Sequence, residues 1–179
     1  MKRIETLILA AVIGLALVTA SGCAAPKTWV SSPEIETVSN PSYQAEFEPL
    51  KGGYEFFVSF LLSVTNKTDE NLEIDWNKTR YILNGRGYGG FVFGGIDPKE
   101  VRNSTIPPDI IPARGKFSKV ISPYRLLARA PLRDQSISES TISAGILPDG
   151  ENGIVLVVRQ NGKEIVDKMM VTIEEKAVQ

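Results

Sequence analysis

Cys23 is the only cysteine of the chain, and the chain has no histidine. Without histidine there is no Ser-His-Asp or Cys-His catalysis, no histidine metal site and no proton shuttle that titrates near neutrality. Carboxylates, lysines and tyrosines remain as possible catalytic groups. Asp69, Asn71, Glu73 and Asp75 place an oxygen donor at every second position, as calcium loops do. The rest of that loop pattern is missing, because Ile74 stands where a glycine is needed and Arg80 where a glutamate is needed. Alternation with Leu72, Ile74 and Trp76 explains the same spacing as the wet face of a strand. No metal or cofactor site is therefore expected.

Asn66-Lys67-Thr68, Asn77-Lys78-Thr79 and Asn103-Ser104-Thr105 match the N-glycosylation acceptor pattern and read as turn chemistry. Gly85, Gly87, Gly89 and Gly90 are closely spaced but open no helix, so they are not a nucleotide fingerprint. They suit a hairpin twist or a bulge.

Charge is unevenly distributed along the chain. Residues 34–75 carry nine acidic and two basic side chains. Residues 97–133 carry eight basic and three acidic ones. If the second stretch folds onto one surface, Arg125, Arg129 and Arg133 could attract an anionic partner such as headgroups, glycans or an acidic protein. The long stretch is also rich in proline, with Pro107, Pro108 and Pro112. Long irregular loops in compact domains are often functional.

The amino-terminal residues carry the most specific motif. Lys2 and Arg3 precede an apolar run from Leu7 to Val18, twelve residues long, against about 20 needed to span a bilayer. Ala20, Ser21 and Gly22 are small, and Cys23 follows directly. A basic start, a short apolar core and a small-residue end describe a signal peptide. The order Ala20-Ser21-Gly22-Cys23 resembles the lipobox of bacterial lipoproteins, although Ala20 stands where leucine is usual. The resemblance implies cleavage after Gly22 and a diacylglyceryl group on the Cys23 thiol, two acyl chains being enough for stable anchoring. Ala24 in place of aspartate favours the outer membrane, facing the periplasm, in an organism with two membranes. With one membrane, the domain would sit on the outer face of the cell.

Without Lys2, Arg3 and Glu5, 18 basic and 20 acidic side chains remain, for a net charge of −2. That balance argues against nucleic acid as a partner. With Cys23 bearing lipid, no disulfide could form within the mature chain, and the fold must rest on core burial.

These features divide the chain into a signal peptide at 1–22, a lipidated flexible tether at 23–42 and a domain at 43–179. In the domain the apolar pattern has the two-residue period of strands. Phe56, Val58, Phe60, Leu62 and Val64 share one face of the strongest segment, and Phe57 and Leu61 lie on the other. Leu72, Ile74 and Trp76 alternate likewise. Asn84-Gly85 and Asn161-Gly162 are hairpin signals. Gly87–Phe93 reads as the return strand of the first hairpin, and 136–146 as a polar edge strand. The run Ile154–Val158 suits a strand buried on both faces. Seven to nine short strands imply an all-β, antiparallel β-sandwich, with Phe56, Phe60, Leu62, Trp76, Leu156 and Val158 in its core. The segment from Val64 through Gly85 resembles immunoglobulin-like domains of bacterial envelope lipoproteins, a resemblance that carries no activity. The functional expectation is a non-enzymatic binding or accessory module, held at the membrane through Cys23 and contacting an envelope protein or an anionic envelope component. A carboxylate-based enzyme acting on a cell-wall glycan or another envelope polymer is the alternative.

Overall fold

The computed structural model describes residues 27–53, 55–94, 105–129 and 142–177, and Thr28–Lys176 forms one compact unit. It is an antiparallel β-sandwich. Among the described residues the one helical turn is the 3-10 turn Tyr124–Leu126.

The first sheet is built on the hairpin β13 (Gly150–Gln160) and β14 (Lys163–Ala177), which pair from Gly150↔Ile173 to Gln160↔Lys163. Asn161 and Gly162 close it at φ 51° and 74°. This is the primed turn that matches strand twist, and it explains the Asn-Gly signal. β1 (Lys27–Ser32) flanks β14. On its other side β13 carries β5 (Leu72–Ile74) and β6 (Arg80–Leu83) in succession. β9 (Asp109–Ile111) extends the sheet beyond β5, and β7 (Arg86–Gly87) beyond β6.

The second sheet runs β2 (Glu36–Ser39), β3 (Tyr43–Lys51), β4 (Phe57–Asn66), β10 (Lys116–Pro123) and β8 (Phe91–Val92). A two-stranded ribbon joins β11 (Ala128–Arg129) to β12 (Ile142–Ser143). The inner faces meet in one core. Tyr43, Phe47, Phe60 and Leu62 from the second sheet face Leu72, Tyr81, Ile154, Leu156 and Val171 from the first. Phe47 stacks on Phe60 at 4.3 Å between ring centroids. Phe60 reaches Tyr81 across the sandwich at 6.2 Å.

The structure departs from the sequence reading at identifiable points. The stretch expected to be a tether is in strand conformation from Lys27. Its alternation is weak because β1 and β2 are short, and the chain changes sheets between them at Pro33. Phe56 is 37 % exposed, and Phe57 is buried in its place. The cause is a bulge. Leu50 pairs with Ser59 and Lys51 with Phe57, so Val58 is an extra residue. An inserted residue reverses the two-residue phase, which puts Phe57 on the same face as Phe60.

The expected return strand Gly87–Phe93 is split, with β7 pairing β6 and β8 crossing to β10 in the other sheet. Gly89, at φ 106°, allows the change of direction. Asp75 is buried rather than on a wet face, because the strand breaks there into a turn. Its carboxylate accepts the Asn77 and Lys78 amides at 3.0 and 3.2 Å, the local bonding that aspartate favours at turns. The irregular stretch from Gly94 to Lys116 contains β9. Of the expected edge strand at 136–146, residues 136–141 lie outside the described residues, and β12 accounts for two of the rest.

Candidate functional site

The end of the sandwich from which β1 sets out also brings together the carboxyl end of β3, the start of β4 and the segments that flank the basic stretch. Trp29 in β1 meets Phe56 at 5.8 Å between ring centroids, tilted by 54°. Phe56 is presented by the β3–β4 connection, which folds back so that the Gly52 amide donates to the Phe56 carbonyl at 3.1 Å. The Lys51 ammonium lies 5.4 Å from the centroid of the Phe57 ring. Between these elements runs a groove of about 370 Å³, lined in part by Trp29, Glu34, Glu48, Leu50, Lys51 and Phe57.

The chain leading into β13 packs against the same end. The Leu147 amide donates to the Phe57 carbonyl at 2.8 Å, and Leu147 is buried while Ile146 is 55 % exposed. Gly145 lies so close to the Leu126 carbonyl that an added Cβ would stand 1.6 Å from its oxygen. Only glycine can pass there. The contact fixes the 3-10 turn Tyr124–Leu126 against the segment that presents Ile146.

That turn carries Arg125, one of the three basic residues singled out in the sequence. Arg125 is exposed, and its guanidinium lies 5.5 Å from the centroid of the Tyr88 ring, a cation–π arrangement. Its stem runs 3.5 Å from where a Cβ of Gly89 would be. Arg129 lies in β11, paired with Ile142. Cys23 and Arg133 are outside the described residues. Arg125 lies beside Tyr88 and Gly89, between β7 and β8, whereas β1 is the edge strand on the opposite side of the first sheet. The aromatic pair Trp29–Phe56 was missed in the sequence because the bulge inverted the reading of Phe56, and because Trp29 was assigned to a tether.

Of the alternating oxygen donors, Asp69, Asn71 and Glu73 line one open groove of about 730 Å³ together with Glu70 and Arg159, while Asp75 is buried. Asp69 pairs with Arg114 through two bonds of 2.7 and 3.0 Å, and these hold its carboxyl below the usual carboxylate range. Asn71 accepts the Ala113 amide at 3.1 Å. Asp75 binds Arg159. No group of three metal-ligating side chains occurs among the described residues. Other carboxylates are also engaged. Glu164 is bonded to Lys78, which lowers its pKa. Asp109 accepts both the Trp76 indole N–H at 2.7 Å and the Lys119 ammonium at 2.5 Å.

Asn66, the first of the acceptor-pattern asparagines, is buried as a turn keystone. Its amide donates to the Glu70 and Pro112 carbonyls at 2.7 and 2.9 Å, and its oxygen accepts the Thr68 amide at 2.9 Å. Asn77 likewise exchanges bonds with Ile106, at 2.7 and 2.9 Å. Asn103 is outside the described residues.

Comparison with known proteins gives no further likeness: no family model matches the chain, and neither the curated proteins nor the solved structures yield a match.

Proposed function

We propose that the chain is a lipid-anchored lipoprotein of the bacterial envelope, with Cys23 as the lipid-bearing residue and the sandwich as a non-enzymatic binding module. The observation that supports this reading is one of position. β1 begins at Lys27, four residues after Cys23, and its Trp29 packs beside Phe56 at the carboxyl end of β3 and the start of β4. A lipid on Cys23 would hold the Trp29 side of the domain close to the membrane surface, and the basic side chains of residues 97–133 could still meet anionic headgroups or an acidic envelope component. In an organism with two membranes, Ala24 in place of aspartate favours the periplasmic face of the outer membrane. With one membrane, the module stands on the outer face of the cell.

Asp69, Asp75, Asp109 and Glu164 are engaged by cations or amides, so the carboxylate-enzyme alternative, which requires two acidic groups converging on a substrate, would rest on Glu34 and Glu48 in the groove beside Trp29. The test is metabolic labelling with a fatty acid in cells expressing the wild type or Cys23→Ser. We expect label on the wild type alone, and precursor accumulation when the lipoprotein signal peptidase is inhibited. Wild-type protein released in soluble form with an unmodified Cys23 would overturn the reading.

A further inference from the structure

We propose that the Trp29–Phe56 end of the sandwich is a membrane-contact surface, resting in the interfacial layer of the same bilayer that holds the lipid on Cys23. The inference rests on the reading of Cys23 as lipid-bearing, and it adds which face of the domain the bilayer covers.

Three observations carry it. Trp29 follows Cys23 by six residues, a reach of at most ~20 Å for a fully extended chain. The domain is therefore held against the surface by this end, with no length of linker to turn it over. Beside Trp29, which is half-buried against the core, two apolar side chains at this end point outward. Phe56 is 37 % exposed and Ile146 55 %, although a buried position lies one residue along in each case, at Phe57 and Leu147. Folding satisfies Phe57 and Leu147 and leaves their neighbours in solvent. Finally, the residue types suit the interface. Tryptophan sits at headgroup depth, apolar on its body and polar at its N–H, and Lys51 can extend its ammonium outward past the Phe57 ring.

The attraction here is apolar rather than ionic, because Glu34 and Glu48 line the adjoining groove. It needs no high intrinsic affinity. A short tether turns docking into an intramolecular event at an effective concentration of about millimolar, so a pair of aromatic side chains and one aliphatic side chain suffices to set the orientation.

The chain has two tryptophans. Trp76 is buried in the core at 2 % exposure, which leaves Trp29 as the reporter of this surface. The experiment uses the full-length lipidated protein, reconstituted in phosphatidylethanolamine–phosphatidylglycerol vesicles whose acyl chains are brominated near the headgroup or near the bilayer centre. The expected result is loss of Trp29 emission, larger with the shallow bromines, and a shift to shorter wavelength. Trp29→Phe should remove the quenchable component. Phe56→Asp, at an exposed position and checked for an unchanged circular dichroism spectrum, should keep the lipid and abolish the quenching. Lipidated wild type with equal emission in brominated and ordinary vesicles would overturn this inference and leave the lipoprotein reading standing. So would a Trp29 no more shielded from acrylamide in vesicles than in detergent and untouched by bromine. Quenching that persists in Phe56→Asp would overturn the surface assignment. An N-terminal peptide whose mass shows Cys23 unmodified would overturn both.

Discussion

Tyr43 in β3 donates its phenolic proton to Asp167 in β14 at 2.6 Å, bridging the two sheets. Asn40 donates to the same carboxylate oxygen at 2.8 Å and turns its own oxygen to the Tyr43 amide at 2.9 Å. Burial pushes the Tyr43 hydroxyl far above its ordinary pKa of 10.0, and the hydrogen bond to Asp167 raises it further. Tyr81, buried and bonded to Asn152, is shifted in the same direction, first by burial and then by Tyr88.

The consequence is a sharp limit in alkaline solution. Both groups have a folded pKa raised above the unfolded value, so their contribution is complete below pH 10 and is lost as pH rises above it. Absorbance titration of the folded protein should leave Tyr43 and Tyr81 un-ionised until the fold gives way. Tyr43→Phe, which leaves Asp167 with Asn40, should cost about 1.5–3 kcal/mol in urea denaturation, the range for a hydrogen bond to a charged group. Ionisation of all five tyrosines below the unfolding transition would show that Tyr43 and Tyr81 are not sealed from solvent.

The bulge at Val58 makes adjacent phenylalanines opposite in consequence. Phe57→Ala should cost about 3–5 kcal/mol, as expected for truncating a buried ring. Phe56→Ser, on the surface, should stay within about 0.5 kcal/mol of the wild type. Thermal or urea unfolding of the two variants side by side decides it. Equal losses would mean that the register of β4 against β3 is not as described.

The sandwich was legible in the sequence because its long strands alternate cleanly and its two Asn-Gly turns are specific. Phe60, Leu62, Trp76, Leu156 and Val158 all lie in the core as the pattern indicated. What was not legible follows from single-residue events. One extra residue at Val58 inverts the face of everything before it, and periodicity cannot register an insertion without knowing the partner strand. β7 and β8 look like one strand because a change of sheet at Gly89 leaves no mark in the hydrophobic pattern. Asp75 has the spacing of a wet strand residue and the role of a turn cap, a distinction that lies in the backbone. Of the residues discussed as a candidate site, Arg125 was singled out in the sequence by its charge alone. Trp29 and Phe56 were missed, because their proximity depends on tertiary contact between segments that are distant in sequence.

Asn66 should behave as a structural residue, despite its match to a glycosylation pattern. Its buried amide serves the turn at Thr68–Glu70 and the end of β9 together. Asn66→Ala would leave those carbonyls and the Thr68 amide short of a partner, at a cost of about 2–3 kcal/mol. Asn66→Asp should also destabilise, since the donors to Glu70 and Pro112 are lost while the acceptor to Thr68 remains. If calorimetry finds the alanine variant as stable as the wild type, solvent reaches this turn and the keystone role is wrong.

The basic residues Arg125, Arg129 and Arg133 give the last prediction. Arg125 is exposed on a turn held rigid by the Gly145–Leu126 contact and by the Tyr88 ring, so little ordering cost accompanies a contact made there. β11 carries Arg129 on from the same turn. Reversing all three to glutamate changes the charge of this stretch of sequence by six, and circular dichroism of the variant checks that the fold is kept. If an anionic partner is captured through this stretch, the triple variant should retain much less of it from envelope extracts. The wild type should lose its advantage as salt rises, because screening shortens the attraction to about 8 Å at physiological ionic strength and about 3 Å at 1 M. Capture is to be compared at low and high salt on the lipidated proteins, with equal anchoring verified by fractionation. Equal capture by both proteins at both salts would assign these arginines a solvated role and remove the basic stretch as a binding surface, without bearing on the lipid at Cys23.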